Sequence, residues 1–312
     1  MPELPEVHTI ATQLQKELPG KTITEVWLDW PRQIRNQTPS AFKKALGGKR
    51  VTKVHRQGKN VLIDFEDGYT LLVHMKMTGH LMYGKWKLNG PEARLPNASG
   101  SLASGVAWKS VLGGAFDDPH NRFIHLIFKL SNGYDLAFSD MRKFGRLELM
   151  KTSETNKVAS LKKLGPDAIS KQLNWQTFEK LLLKRENSPI KQVLMNQEIV
   201  AGVGNIYADE MLWVANVHPK IKIKDVPRAS FKIMFDAMRK IMHKSIELGG
   251  DSASDFRNVY GEKGAFQNFH KAYRQTGKKC TRKSCVGIIQ RTTIGQRSAH
   301  FCSVHQKLTT DE

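Results

Sequence analysis

The hydrophobic pattern changes period partway along the chain, and that change constrains the fold more than any single motif. Before about residue 150 the apolar positions come in short runs: "KTITEVWLDW", "RVTKVHR", "NVLIDF", "YTLLVHM", "IHLIFKL" and "YDLAFSD". These runs are β-branched or alternating, as half-buried strands are. Glu66-Asp67-Gly68 and Ser131-Asn132-Gly133 separate neighbouring runs and carry hairpin-turn chemistry. Many short strands joined by hairpins predict an antiparallel sandwich or barrel. One helix precedes them. Val7, Ile10, Ala11, Leu14 and Leu18 share a face, and Pro5 and Glu6 suit its first turn.

From about Leu161 the pattern turns helical. "NWQTFEKLLLKRE" has Asn174 as its expected cap, and "SPIKQVLMNQ" has Ser188 as cap with Pro189 at the first position. "IYADEMLWVANV" and "PRASFKIMFDAMRKIMHKSIELGG" complete the helical part, the last helix stopping at Gly249-Gly250. Between the strands, residues 84–118 are rich in Gly, Ser, Ala and Pro, which predicts a long, partly mobile surface insertion. No internal repeat is present.

Charge narrows the partner. Lys and Arg outnumber Asp and Glu by 49 to 29, a net +20. The excess is uneven: between Lys220 and Lys307 the ratio is 19 to 6, against 30 to 23 elsewhere. A basic surface concentrated toward one end favours nucleic acid over an anionic membrane surface or plain solubility. The opening "MPELPEVHTIATQLQK" lacks the basic start and apolar core of a secretory signal, and no apolar run is long enough to span a bilayer. The expected location is therefore intracellular, with no membrane partner.

Three cysteines fall in one short stretch. Cys280, Cys285, Cys302 and His305 are spaced C-x4-C, sixteen residues, C-x2-H. Two close pairs around a hairpin-length segment suit one tetrahedral structural zinc per chain. Three buried cysteines and a surface histidine are the alternative. The turn "VAGVGN" precedes a helix, and Gly202 and Gly204 allow close backbone approach there. Asn205 would cap that helix, whose free N–H groups can bind an anion. Glycine turns before helices are common, so this signal is weak by itself.

The N-terminus poses a separate question. Removal of Met1 would leave Pro2 with a free secondary amine, and α-amino groups titrate near pH 8, about two units below lysine. Such an amine can attack an electrophilic sugar carbon and form an iminium, with Glu3 beside it to move protons. An inert terminal Pro-Glu is the other reading of these two residues. If Met1 persists, the Pro2 nitrogen is an amide and the nucleophile is absent.

"PELPEV", "GKN", "HMKMTG", "SDMRKFG", "GVGNIYADE" and the cysteine tail occur in this order, and together they resemble the formamidopyrimidine-DNA glycosylase and endonuclease VIII family. The resemblance covers nearly the whole chain except the 84–118 insertion. Leu4 points to the formamidopyrimidine branch, since the other branch usually has glycine there. The implied fold is α+β: an N-terminal antiparallel β-sandwich with a leading helix, a helix–two-turns–helix domain and a zinc-pinned β-hairpin. The implied domains are 1–155, 156–272 and 273–312.

The resemblance also implies roles. Pro2 is the Schiff-base nucleophile, Glu3 its general acid, and Lys59 a phosphate contact and proton donor in β-elimination. Met77, Arg142 and Phe144 fill the gap left by an extruded base. Asn205 and Arg297 grip phosphates, Arg297 also serving δ-elimination, and His74 and Lys191 match further DNA-binding positions. "GGDSASDFRNVYGEKGAF" resembles the loop over the damaged base. The implied activity is a glycosylase and abasic-site lyase acting as a monomer on double-stranded DNA with oxidised purines or abasic sites. Alternatives are an oxidised-pyrimidine glycosylase of the endonuclease VIII type, a non-catalytic binder of damaged DNA, and an N-terminal-proline enzyme acting on small carbonyl compounds.

Departures from the family pattern are specific. The first cysteine gap is four rather than two, and His305 stands where a fourth cysteine is usual. His8 replaces a usual glutamate. A DNA-contacting histidine expected before "IHLIFKL" has no clean match: Phe123 falls there by count, with His120 and His125 close by.

Overall fold

The computed structural model describes residues 2–88 and 108–308; Met1 and the middle of the 84–118 insertion lie outside the described residues. The chain divides into two compact units, Met1–Leu161 with Gly249–Ala265, and Lys162–Leu248 with Phe266–Glu312. This division differs from the three-domain expectation in two places. The segment after the long helix joins the first unit because Phe256 and Val259 are buried in that unit's core. The cysteine hairpin belongs to the second unit because Cys280, Ile289 and Cys302 share a buried cluster with Trp213 and Ala272.

The first unit begins with α1 (Leu4–Glu17) and continues through β1 (Ile23–Leu28), β2 (Ile34–Arg35), α2 (Pro39–Leu46), β3 (Val51–Gln57), β4 (Asn60–Phe65), β5 (Tyr69–His74) and β6 (Gly79–Gly84). After β7 (Trp86–Leu88) and β8 (Trp108–Ser110) come β9 (Ile124–Leu130), β10 (Asp135–Asp140) and β11 (Arg146–Lys151). Two sheets, ordered β1-β9-β10-β6 and β2-β11-β5-β4-β3, form the expected sandwich. Every pairing is antiparallel except the short β2–β11 contact. The α1 stripe is fully used: Val7, Ile10, Leu14 and Leu18 are at most 1% exposed. Burial of each such side chain is worth roughly 1.5–3 kcal/mol, so the helix start is anchored by its own core face.

The β7–β8 pair carries the two roots of the insertion. Trp86 packs edge-on to Phe116 and Trp108 edge-on to Trp27, over Met82, Ile124, Ile127 and Ala137. Large aromatic area at both roots fixes where the insertion leaves the sheet.

The second unit follows a single helical turn, α3 (Ala159–Lys162), and contains α4 (Trp175–Leu183), α5 (Ile190–Leu194), α6 (Asn205–Ala215) and α7 (Arg228–Glu247). The Asn174 side chain accepts the Thr177 N–H, as the capping rule predicts. α5 starts one residue later than expected, with Pro189 rather than Ser188 at the cap. β12 (Ile289–Ile294) and β13 (Arg297–Cys302) close through Gly295 and Gln296, both left-handed, the two-residue turn that matches strand twist. Among the described residues no helix is long and apolar enough to cross a membrane.

Candidate functional site

In the first unit, Pro2 and Glu3 sit at the buried start of α1. Glu3 and Glu6 form a reciprocal capping box, in which the Glu3 N–H donates to Glu6 Oε2 at 2.8 Å. The second Glu6 oxygen accepts the Asp251 N–H at 2.8 Å. One buried carboxylate thus ties the backbone beside Pro2 to residues from the far end of the sequence.

Lys59 lies in the β3–β4 turn and is only 8% exposed. His74 ends β5, and its Nδ1 accepts the Lys76 N–H at 3.0 Å. Burial, then Lys76, Lys59 and Arg146, push its imidazole down to about 3, so it is neutral in ordinary solution. His74 also lines a cavity of about 600 Å³ with Arg35, Lys76, Arg146, Lys157 and Glu148. Four cations against the two carboxylates of Glu148 and Glu154 leave the lining net positive, which favours an anionic ligand.

Two loops present the expected duplex-entering residues. Arg142 Nη1 lies 3.2 Å from Met77 Sδ, and its guanidinium stacks over Phe144 at 4.7 Å. Arg142 and Phe144 are exposed, and Met77 is half-buried. Sequence reading missed what holds them. Asp140, 1% exposed, accepts the Thr78 hydroxyl at 2.5 Å and the Gly145 N–H at 2.7 Å. Thr78 Oγ1 in turn accepts the Arg142 N–H at 3.0 Å. Asp140 therefore fastens the Met77 loop to the Arg142–Phe144 loop. Lys76 and Lys143, one in each loop, have φ of 56°, an uncommon left-handed backbone that this clasp sustains.

The histidine ambiguity resolves into two structural environments. His125 is buried, its Nδ1 2.9 Å from Asp29 Oδ1. His120 is partly exposed and faces Asp118 at 3.1 Å and Asp255 at 3.4 Å. Phe123, which falls at that position by count, has Arg122 over its ring.

In the second unit, Asn205 opens α6, with Gly204 rather than Asn205 as the cap. Its Nδ2 reaches Ser298 Oγ at 3.5 Å, beside exposed Arg297 at the hairpin tip. Lys191 is enclosed by protein groups. It is 1% exposed and its Nζ donates to Asp209 Oδ1 at 2.5 Å and to the Ser298 carbonyl at 2.6 Å. His300 donates its N–H to Asp209 Oδ2 at 3.0 Å, with Nδ1 at 2.8 Å. These bonds fasten α5 and α6 to the strand that carries Arg297. Burial cannot be read from a lysine in a string, and the only available signal was Asp209 following it.

Cys280, Cys285, Cys302 and His305 converge, their ligand atoms all within 4.8 Å of one another. Cys285 and Cys302 sulfurs are 3.6 Å apart, and His305 Nδ1 is 3.6 Å from Cys280 and 3.5 Å from Cys285. A tetrahedral ion with bonds of about 2.3 Å to sulfur has ligand–ligand edges of about 3.7 Å. The set can hold a metal ion, and the four-residue gap is accommodated. Burial, then Arg282, lowers the His305 imidazole, which keeps it in the neutral form that ligates. Arg282 stacks on Trp213 and donates to its carbonyl, fixing the first cysteine turn against α6.

Similarity to known proteins decides the family. The Formamidopyrimidine-DNA glycosylase N-terminal domain matches residues 1–147, and the Formamidopyrimidine-DNA glycosylase H2TH domain matches residues 164–257. The formamidopyrimidine-DNA glycosylase of Pelotomaculum thermopropionicum is 36% identical, covering 99% of this chain and 100% of its own. The chain belongs to the formamidopyrimidine-DNA glycosylase family. The corresponding Herpetosiphon aurantiacus protein is 33% identical over 98% of the chain. Among solved structures, the Lactococcus lactis Fpg bound to abasic-site DNA is 30% identical, with TM-score 0.80 over 98% of this chain and 100% of that one. The protein is thus a DNA-repair glycosylase of the Fpg type, an enzyme with the expected α+β fold.

Proposed function

We propose that the chain is a bifunctional glycosylase and abasic-site lyase that excises oxidised purines, 8-oxoguanine and formamidopyrimidine among them, through a Schiff base on Pro2. The observation that carries this reading is the buried capping box, which fixes Glu3, the residue next to Pro2, at the start of α1. After loss of Met1, the Pro2 nitrogen forms a bond to C1′ as the glycosidic bond breaks, and the departing base takes up a proton, with Glu3 as the acid. The C1′–O4′ bond then breaks, O4′ taking up a proton as the proline nitrogen gives one up, and the opened sugar is held as an iminium. Loss of a C2′ proton then expels the 3′ phosphate oxygen with Lys59 as proton donor, and loss of a C4′ proton expels the 5′ phosphate oxygen with Arg297 assisting. Water then adds to the iminium carbon and the C1′–N bond breaks, which returns Pro2 as a free amine and leaves the sugar fragment as an aldehyde.

The Met77, Arg142 and Phe144 set supports base extrusion: two apolar wedges and one cation for the orphaned partner base. Asn205, Arg297 and the basic cavity at His74 would hold the backbone. The cysteine–histidine set would bind one structural zinc, whose role is to keep the hairpin that carries Arg297 in shape. Lys191 contributes through the same hairpin.

The direct test is Pro2→Gly, which keeps a terminal amine but makes it primary. Excision should fall by roughly 100-fold or more while folding and DNA affinity are kept. Wild-type excision rates in that variant would reject the proline nucleophile. The substrate panel includes an oxidised pyrimidine, because the Lactococcus lactis protein is known in complex with such DNA.

A further inference from the structure

We infer that the Asp118–Arg257 ion pair, with His120 beside it, is a brace that shapes the turn at residues 252–256 and thereby sets which bases are excised. The inference rests on the proposed function and on the resemblance of residues 249–266 to the loop over the damaged base. Neither Asp118 nor Arg257 has a role in that chemistry.

The segment is anchored at both ends. Asp251 is tied through Glu6 to the backbone of Glu3, so the turn begins one carboxylate away from Pro2. At the other end Val259 is fully buried, donates its N–H to Gln13 Oε1 and accepts the Tyr83 N–H. Gly261 has φ +80° and lies so close to Asn121 and Ala115 that a side chain there would overlap them. Between the anchors, the side chains of residues 252–255 are half-exposed and belong to no helix or strand.

Arg257 organises this turn from below. Its guanidinium is 2% exposed on the side-chain scale. Nη1 donates to the Phe256 carbonyl at 2.7 Å and to the Ser254 carbonyl at 3.2 Å. Nη2 donates to both Asp118 oxygens, at 3.0 and 2.8 Å. His120 reaches the other side of the turn through Asp255 at 3.4 Å while contacting Asp118 at 3.1 Å. Burial alone would raise the Asp118 carboxyl; the His120 amide and Arg257 outweigh it and hold it at about 2. The pair is therefore ionised throughout the working range.

Position makes this a brace and not only a core pin. The core contacts are supplied by Phe256 and Val259. Arg257 spends its donors on the carbonyls of Ser254 and Phe256, which set the path of the turn. A turn held before DNA arrives loses less freedom on binding a base, and its shape discriminates between bases. Asp118 closes the 84–118 insertion, so the insertion's descending root gains a role in shaping the turn.

The test uses the full chain, with Asp118→Asn, Asp118→Glu and wild type. Single-turnover excision of 8-oxoguanine, formamidopyrimidine and an oxidised pyrimidine is measured beside cleavage of a preformed abasic site, with hydrogen exchange at residues 252–256. Asp118→Asn should lose tenfold or more on at least one base, change the ranking of bases, and lose less than twofold on the abasic site. Exchange at the turn should accelerate while the melting curve stays cooperative, and Asp118→Glu should restore part of the ranking. Equal losses on all four substrates, or an unchanged ranking in a folded Asp118→Asn protein, would overturn the inference while leaving the proposed function standing. A wild-type protein that excises no base would overturn the proposed function, and the selectivity claim with it.

Discussion

The two units hold their exposed arginines by different means. In the first, Arg142 projects from a loop clasped by Asp140, a buried carboxylate that accepts a hydroxyl and a backbone N–H. The backbone next to Pro2 is held in the same style, the Glu3 N–H donating to the carboxylate of Glu6. In the second, Arg297 projects from a two-stranded hairpin whose base is the cysteine–histidine set and whose inner strand is fastened by Lys191 and Asp209. A large sandwich core can hold a loop with one carboxylate. A small hairpin has too little core and needs metal ligands and a buried ion pair. Chemistry placed on the first unit should therefore survive treatments that abolish the grip of the second.

Metal removal should separate the units most strongly. Cys302→Ser, or chelation of the wild-type protein, should release one zinc per chain and weaken DNA binding by about 100-fold, with the first unit's melting transition retained. Elemental analysis with calorimetry checks both parts. Retention of one zinc in Cys302→Ser would mean that Cys302 is not a ligand.

Asp140→Ala should be the next largest effect and should fall on the other unit. It leaves the Gly145 N–H and the buried Thr78 hydroxyl without their acceptor, at about 1–3 kcal/mol each. A stability loss of about 2–4 kcal/mol in denaturant unfolding is expected, with zinc content unchanged. A loss below about 0.5 kcal/mol would show that the two loops do not depend on this clasp.

Acid should loosen the first unit through His80. This side chain is 1% exposed and bonds Asn121, and burial pushes its imidazole down to about 4. The folded pKa lies below the unfolded value of about 6.5, so the stability contribution is full above pH 6.5 and is lost as pH falls toward 4. The loss reaches roughly 3 kcal/mol at most. Replacing His80 with Gln should flatten the stability profile in that window, and an unchanged profile would assign the acid sensitivity elsewhere.

Arg142→Ala should give the smallest effect and the most selective one. Excision of a paired lesion should fall about tenfold more than cleavage of a preformed abasic site, because the abasic sugar has no base to extrude. The salt dependence of binding should hold its slope, whereas a lost phosphate contact lowers it by about 0.9. Equal losses on both substrates with a lower slope would make Arg142 a backbone contact.

How far the sequence carried depended on whether a feature was local. The α1 stripe, the hairpin turns and the cysteine spacing are written in neighbouring residues, and the structure bears each of them out. The clasp of Thr78 by Asp140 joins residues 62 positions apart, and the brace of Asp118 by Arg257 joins residues 139 apart. No periodicity records such pairs. The apolar run of β6 is only Leu81, Met82 and Tyr83, too short to stand out as a strand, and the enclosure of the Lys191 ammonium by Asp209 and Ser298 is likewise not written in neighbouring residues. The segment around Phe256 and Val259 follows a helix of the second unit, so its membership of the first appears only in three dimensions.

The central claim is that the reacting group is the N-terminal proline of the clasped first unit. Borohydride reduction during reaction with abasic-site DNA, followed by proteolysis and mass mapping of the cross-linked peptide, tests it most directly. The account predicts one adduct, on a peptide that starts at Pro2, formed as readily after zinc removal once DNA is supplied at saturating concentration. An adduct on Lys59 or any other lysine, or none from a protein that binds the DNA and cleaves it, would contradict the account.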